Sequence, residues 1–394
     1  MAETVIVAGA RTPIAKFLGS YSELSAQDLG GRAIAEALQR AGVSGSDIDY
    51  VVMGQVLQAG QGQITARQAA TKGGIGMDVP CITINKVCLS GLAAIAMADQ
   101  LIRAGEVEMV VAGGMESMTQ APYAMPKART GARMGNAELI DLMVHDGLWC
   151  AFDHCHMGEG TDAVNARLGI GRAEQDEWSA RSHERAAEAT KAGRLADEIV
   201  GVSIPQRKGE PVLVDADEGI RPGTTAESLG KLRPAFVKEG TITAGNASQL
   251  SDGACAVVVT TRERAEREGL PVLATILGYG MVAGPDASLA AQPANAIRKV
   301  ATKLGHDPSG YDLYEINEAF AAVAIWSAQE LGVGAERVNV NGGAVALGHP
   351  IGASGARLAL TLAHELRRRG GGVGAAALCG GGGQGDALVL RTDA

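Results

Sequence analysis

Two cysteines and a histidine stand where this sequence could make reactive groups. Cys88 lies in "ITINKVCLSGLAAIAMADQ", at the point where an extended apolar stretch gives way to a helix of small residues. The unpaired N–H groups and macrodipole of a helix N-terminus favour an anion, so a stabilised thiolate is expected at Cys88. Position alone does not separate such a nucleophile from an inert core thiol, and a partner base has to decide. His349 is the candidate base, held among small residues in "GGAVALGHPIGASGAR" with Pro350 behind it and a helix start ahead, although a plain turn histidine would look the same locally. Cys379 ends the apolar run "VGAAAL" and opens "CGGGGQG", whose free N–H groups suit a developing oxyanion; the bland reading is a strand-end thiol beside a tight turn. Two thiols around one base exceed what hydrolysis needs. The second fits a second proton transfer, such as removal of a proton from carbon next to a carbonyl.

Two further stretches carry chemistry-bearing side chains. In "YEINEAFAA", Asn317 either caps a helix beginning at Glu318 or donates to an oxyanion. In "WCAFDHCHMG", the neighbours His154, Cys155 and His156 are too close in sequence to converge on one tetrahedral ion, and no second ligand pair occurs elsewhere. No metal is expected, and this loop is read as lending side chains to a pocket.

The elements that must position these groups recur. Strand "CITIN", thiol loop, small-residue helix and strand "VEMVVAGG" are followed later by strand "RVNVN", Gly-rich loop, helix "GARLALTLAHELRRRG" and strand "VGAAALCGGGG". This is the pattern of two copies of one α/β unit, with strands covered on both faces and helices sandwiched between the copies. If their loops share one end, Cys88 and His349 face each other. Between the copies the composition shifts to Met-, Pro- and Arg-containing loop and "RAEQDEWSARSHERAAEATKAGRLADEI", a charged amphipathic helix, or two with a break at Gly193. The expected division is 1–118 plus 250–270 for the first half, 119–249 for an inserted loop domain, and 271–394 for the second half.

Composition narrows the function. The 394 residues are 46% hydrophobic, enough for more than one well-buried core. Aromatics make up 3% and the net charge is −9 without a basic block, so neither a base-stacking platform nor a phosphate-tracking groove is expected, and no nucleic acid. No uninterrupted apolar run reaches the roughly 18 residues of a membrane span, and the start "MAETVIVAGARTP" lacks the regions of a signal peptide. A soluble cytoplasmic protein whose six cysteines stay reduced is expected.

Together "VIVAGARTPIAKF", "NKVCLSG", "VVAGGMESM", "HMG", "KLRPAF", "TAGNAS", "NEAF", "NVNGGAVALGHPIGASGAR" and "CGGGGQG" resemble the thiolase family along essentially the whole chain and in family order. The resemblance implies a five-layered αβαβα sandwich of two related halves with an inserted loop domain, assembled as a homotetramer. It implies that Cys88 is acylated by an acyl-CoA with His349 assisting, and that Cys379 deprotonates a second acetyl-CoA whose enolate attacks the Cys88 thioester. The reverse reaction is thiolysis. Asn317 with a water and His349 would form one oxyanion site, and backbone N–H groups of Cys88 and Gly381 the other. Coenzyme A is then substrate and product, with no separate cofactor. Its pocket would comprise Leu148, His156, Met157, Arg221, Ser228, Phe236, Ala244, Ser248, Ala319 and Phe320, with the charged nucleotide end near Arg221. The "HMG" and "TAGNAS" stretches favour two acetyl-CoA units; a longer-chain 3-ketoacyl-CoA thiolase and a noncatalytic acyl-CoA binder are the alternatives. The chain departs from the family in "GPDASLAAQPANA", where Gln292 precedes Pro293, and at Gly380 and Gln384, where a looser loop is expected.

Overall fold

The computed structural model describes residues 3–393. In chain order the first copy runs β1 (Thr4–Arg11), α1 (Ala26–Ala41), β2 (Tyr50–Gly54), α2 (Thr65–Lys72), β3 (Cys81–Ile84), α3 (Ser90–Ala104) and β4 (Met109–Ser117). An excursion follows, carrying a short hairpin of β5 (Trp149–Cys150) and β6 (Cys155–His156), then α4 (Met157–Leu168) and α5 (Arg172–Lys191). The chain returns as β7 (Ser251–Thr261). The second copy comprises β8 (Ala274–Ala283), α6 (Gln292–Leu304), β9 (Leu313–Ile316), α7 (Ala321–Leu331), α8 (Ala344–Leu347), α9 (Ser354–Arg368), β10 (Gly372–Gly380) and β11 (Gln384–Thr392).

The strands order as β3-β2-β4-β7-β1 in the first half and β9-β10-β11-β8 in the second, and the halves meet edge to edge where β1 pairs antiparallel with β8. Beyond β9, where β3 would have its counterpart, the expected strand "RVNVN" is reduced to one parallel bridge from Val338 to Tyr314. The reason lies in Asn339. Its side-chain amide accepts from Ile316 N and donates to Ile316 O, both at 2.8 Å, so a side chain satisfies the edge that a strand would have covered. With that substitution, the two halves share one topology.

Alternation along the strands makes the layers. Val110 and Ala112 of β4 face the central core with Leu92 and Ile95 of α3 and Leu358 and Leu362 of α9, whereas Met109 and Val111 face an outer core with Leu29 and Ile34 of α1. In the second half, Ala375 and Ala377 of β10 face Ile297 of α6 and Ile325 of α7. Helices therefore cover both outer faces, and α3 and α9 fill the middle. That burial also explains why Val87–Ala104 is apolar enough for a membrane span, with mean hydropathy 1.4: two-thirds of it is buried, as a core helix. The charged helix of the excursion is single, ending at Lys191 with Gly193 at φ 72° just beyond.

The middle layer works only because its backbones nearly touch. A Cβ at Gly91 would sit 2.8 Å from Ala356 N, and one at Gly355 would sit 2.4 Å from Leu92 N. Gly114 and Gly352 meet in the same seam, where a Cβ on Gly114 would reach 2.0 Å from Gly352 O. Gly91→Ala and Gly355→Ala should each force the two helices apart, costing about 1–3 kcal/mol. Thermal denaturation and kcat should fall together in both; an unchanged melting temperature would show that the seam tolerates a methyl group.

Candidate active site

Cys88 sits on a turn held in an unusual backbone state. Val87 has φ 50°, which a β-branched residue seldom adopts. The turn is fixed from several sides: Asn85 Oδ1 accepts from Val87 N at 2.9 Å, Lys86 N donates to Ser90 Oγ at 2.8 Å, and Ser90 Oγ donates to Val87 O at 2.7 Å. Lys86 Nζ reaches Asp386 of β11 at 2.7 Å, tying the turn to the other half. Cys88 is buried, with the backbone N–H groups of Cys88 and Gly381 facing its sulfur. Burial works against the expected stabilised thiolate here. Burial pushes the thiol up to about 12, and the charge of Glu116 adds to the rise, against what the two N–H groups supply.

His349 lies in the loop before α9, whose start packs on the start of α3, a Cβ on Gly91 reaching Gly352 O at 3.0 Å. Its ring is buried, and burial, with the charge of Arg357 as a lesser cause, pushes it down to about 3, so it is neutral. Its tautomer follows from its neighbours. Ser354 Oγ donates its only proton to Pro350 O at 3.0 Å, and therefore accepts from His349 Nδ1 at 2.6 Å. Nε2 is left with a lone pair. It faces Asn317 Nδ2 at 3.4 Å, and that amide's oxygen, Oδ1, has no partner within the chain.

Asn317 does not cap a helix. Helix α7 begins at Ala321, with Phe320 at its N-cap and no side-chain cap bond, because the intervening Glu318 is used elsewhere. The Glu318 carboxylate is buried and accepts from Trp178 Nε1 (2.9 Å), Ser182 Oγ (2.7 Å), Asn339 Nδ2 (2.9 Å) and Val345 N (3.1 Å). It thus joins the excursion's α5 to the segment that precedes His349. Cys379 is buried at the end of β10; burial first, and then the charge of Cys88, push its thiol well above the ordinary range. The following glycines pack against the Cys88 turn: a Cβ on Gly380 would meet Leu89 Cγ at 2.6 Å and one on Gly381 would meet Val87 Cγ1 at 3.4 Å. The missing Cβ at Gly380 thus leaves room for Leu89 to pack against the loop.

A cavity of about 360 Å³ opens beside His349. Leu148, His156, Phe236, Ala244, Ser248, Ala319 and Phe320 line it, as the sequence suggested, together with Met118, Thr243, Gln249, Leu250 and Ile351, which it did not. His156 stacks on Phe236 with centroids 4.5 Å apart, and burial pushes it down, leaving a neutral ring. Met157 lines a second cavity of about 440 Å³ with Gly381 and Leu289. Arg221 and Ser228 line neither. Both are exposed, and the Ser228 hydroxyl bonds Thr225 in a capping box. Leu289, another residue the sequence reading missed, packs with Phe320 and Cys379 into one apolar wall. Its loop is closed by Gln292 Nε2 donating to Gly284 O at 2.9 Å, which gives the departure at Gln292 a structural use. Among the described residues no three metal-ligating side chains converge.

The site thus offers two protonated thiols, a neutral histidine whose Nε2 lone pair meets only Asn317 Nδ2, clustered backbone N–H donors and an adjoining apolar cavity. That set suits acyl transfer through a thioester. Ser354→Ala removes the partner of Nδ1–H and frees the other tautomer; kcat should drop about tenfold, or about 1.4 kcal/mol, with KM nearly unchanged. A rise in KM at constant kcat would contradict this role. For Cys88, iodoacetamide alkylation should climb about tenfold per pH unit from about pH 7 to about pH 10, following the thiolate fraction of a thiol ionising near 12. A plateau at neutral pH would reveal a standing thiolate instead.

Comparison with known proteins gives a consistent result. Residues 4–263 match the family described as thiolase, N-terminal domain, and residues 270–392 match thiolase, C-terminal domain. The chain is 58% identical over 387 residues to a probable acetyl-CoA acetyltransferase of Mycolicibacterium smegmatis, covering 98% of this chain and 100% of that one. It is 50% identical to the acetyl-CoA acetyltransferase of Pseudomonas aeruginosa, with 100% of both chains covered. The crystal structure of the Bacillus anthracis acetyl-CoA acetyltransferase superposes with a TM-score of 0.96 at 41% identity, covering 99% of each chain.

Proposed function

This chain belongs to the thiolase family, and we propose that it is an acetyl-CoA acetyltransferase, condensing two acetyl-CoA to acetoacetyl-CoA and CoA, or cleaving acetoacetyl-CoA in reverse. The observations that support the reading are two buried thiols on adjoining turns and a buried neutral histidine, in the loop before the helix that packs on the Cys88 helix, whose Nε2 meets only Asn317 Nδ2.

In the first half-reaction, Cys88 Sγ attacks the thioester carbonyl carbon while His349 Nε2 takes the thiol proton. No standing thiolate is required. The N–H groups of Cys88 and Gly381 receive the oxyanion, and His349 returns the proton to the departing CoA thiolate. In the second, His349 Nε2, neutral again, takes the Cys379 thiol proton, and the Cys379 thiolate takes the α-proton of another acetyl-CoA with Asn317 flanking the enolate oxygen; the carbanion attacks the acetyl-Cys88 carbonyl, and the Cys88 thiolate that leaves recovers its proton from His349.

Coenzyme A is substrate and product, with no further cofactor in the scheme, and the cavity of small and apolar residues beside His349 suits its neutral pantetheine arm. The segment 119–249, with Arg221 and Ser228, is read as the loop domain at its nucleotide end. A cytoplasmic homotetramer fits the same reading. Tyr123, Met134 and Leu139 project into solvent on one segment of this domain, which supports an assembly contact there.

With labelled acetyl-CoA, Cys379→Ala should still acetylate Cys88 but lose condensation by about three orders of magnitude or more, whereas Cys88→Ala should do neither. Acetoacetyl-CoA should be cleaved faster than a medium-chain 3-ketoacyl-CoA. Preference for the longer substrate would replace the proposal with a 3-ketoacyl-CoA thiolase, and absence of both labelling and CoA release in the unaltered protein would leave only a binding role.

A further inference from the structure

The catalytic scheme leaves Cys150 and Cys155 unused, and the fold pairs them. They are direct cross-strand partners in the hairpin of β5 and β6, so their side chains leave the same face. Cross-strand partners in an antiparallel ladder lie with Cα atoms about 4.5 or 5.5 Å apart, inside the roughly 4.4–6.8 Å that a disulfide spans. Both are free thiols and both line the 440 Å³ cavity. Cys150 is buried, and its sulfur accepts from Asp153 N at 3.3 Å. Burial, then the charges of Glu159, Cys150 and Asp153, push Cys155 up and keep it a thiol.

We propose that Cys150 and Cys155 are an oxidisable pair that closes to a disulfide under peroxide and clasps the hairpin beside the CoA cavity. Cys150 thiolate attacks one oxygen of hydrogen peroxide, breaking the O–O bond to give a sulfenic acid and, once hydroxide is protonated, water. Cys155 sulfur then attacks the sulfenic sulfur; the S–S bond forms, the S–O bond breaks, and hydroxide leaves with the Cys155 proton as a second water. Two thiols are oxidised and one peroxide is reduced to two waters. The clasp matters because of what the hairpin carries. Leu148 adjoins it, His156 is part of it, and Phe152 in its loop lies on the glycines after Cys379, where a Cβ on Gly382 would meet its ring at 2.8 Å.

The test treats the intact protein with hydrogen peroxide, alkylates the remaining thiols and weighs the peptide spanning 134–167, which holds both cysteines. The expected result is loss of two hydrogens from that peptide, reversed by dithiothreitol and absent in Cys155→Ser. In molecules whose Cys88 remains alkylatable, KM for the CoA substrate should rise severalfold on oxidation and recover on reduction. That kinetic arm rests on the proposed activity, whereas the mass change does not. Alkylation of both Cys150 and Cys155 after Cys88 or Cys379 has been oxidised would overturn the pairing, and a peptide disulfide that leaves KM unmoved would overturn the clasp.

Discussion

The contact on which the site depends is the backbone approach of α3 and α9, permitted by Gly91 and Gly355. Each of these helices begins just after a reactive loop, so the distance between the helices sets the distance between Cys88 and His349. Glu116 locks the same seam from below. Its buried carboxylate accepts from Val56 N (3.0 Å), Leu57 N (3.1 Å) and Gly352 N (2.9 Å), joining one loop from each half. Burial pushes this carboxyl up to about 7 in spite of three donors that pull it down. A group so costly to bury is retained where its loss would orphan three buried N–H groups at once.

Desolvation decides the resting state of the site. A helix N-terminus supplies about 0.3–1 kcal/mol to an anion, and about 2 at best, whereas burying an ion costs several kcal/mol even after relaxation. That imbalance is why the thiol at Cys88 rises when the local sequence pattern predicts a thiolate. Neutral Cys88, neutral His349 and protonated Cys379 then form one consistent set: each proton moves only when a substrate carbonyl is present to receive the charge. The apolar wall of Leu289, Phe320 and Val323 keeps water from competing with the second acyl group.

What was legible in the sequence is what local pattern encodes. The strand, thiol loop and small-residue helix around Cys88 could be read because apolar periodicity and glycine punctuation are properties of neighbours in the chain. The doubled layout followed from the same signals. What failed depended on distant partners. The strand at "RVNVN" gave way because one asparagine side chain satisfied Ile316, and the cap at Asn317 vanished because Glu318 was recruited by Trp178 and Ser182, far away in sequence. Ser354 stood in view, five residues after His349, yet its role appears only once Pro350 O is seen to take its proton. Glu116 and Leu289 gave no local signal at all, since their significance lies in loops from other parts of the chain.

The two copies also show how one scaffold acquires unequal ends. The residue after β2 is Gln55, and the residue after β9 is Asn317; the penultimate residue of β4 is Glu116, and that of β10 is Cys379. In the first copy these positions serve structure: Glu116 binds the seam, and Gln55 Nε2 bonds Leu57 O and Gln61 Oε1. In the second copy Asn317 Nδ2 meets His349 Nε2, and the Cys379 thiol packs into the apolar wall with Leu289 and Phe320. On the proposed scheme the reactive loops divide differently, one copy giving the nucleophile Cys88 and the other its base His349. A single copy would hold either a thiol without a base or a base without its nucleophile, so the chemistry requires both halves at the separation that Gly91 and Gly355 allow.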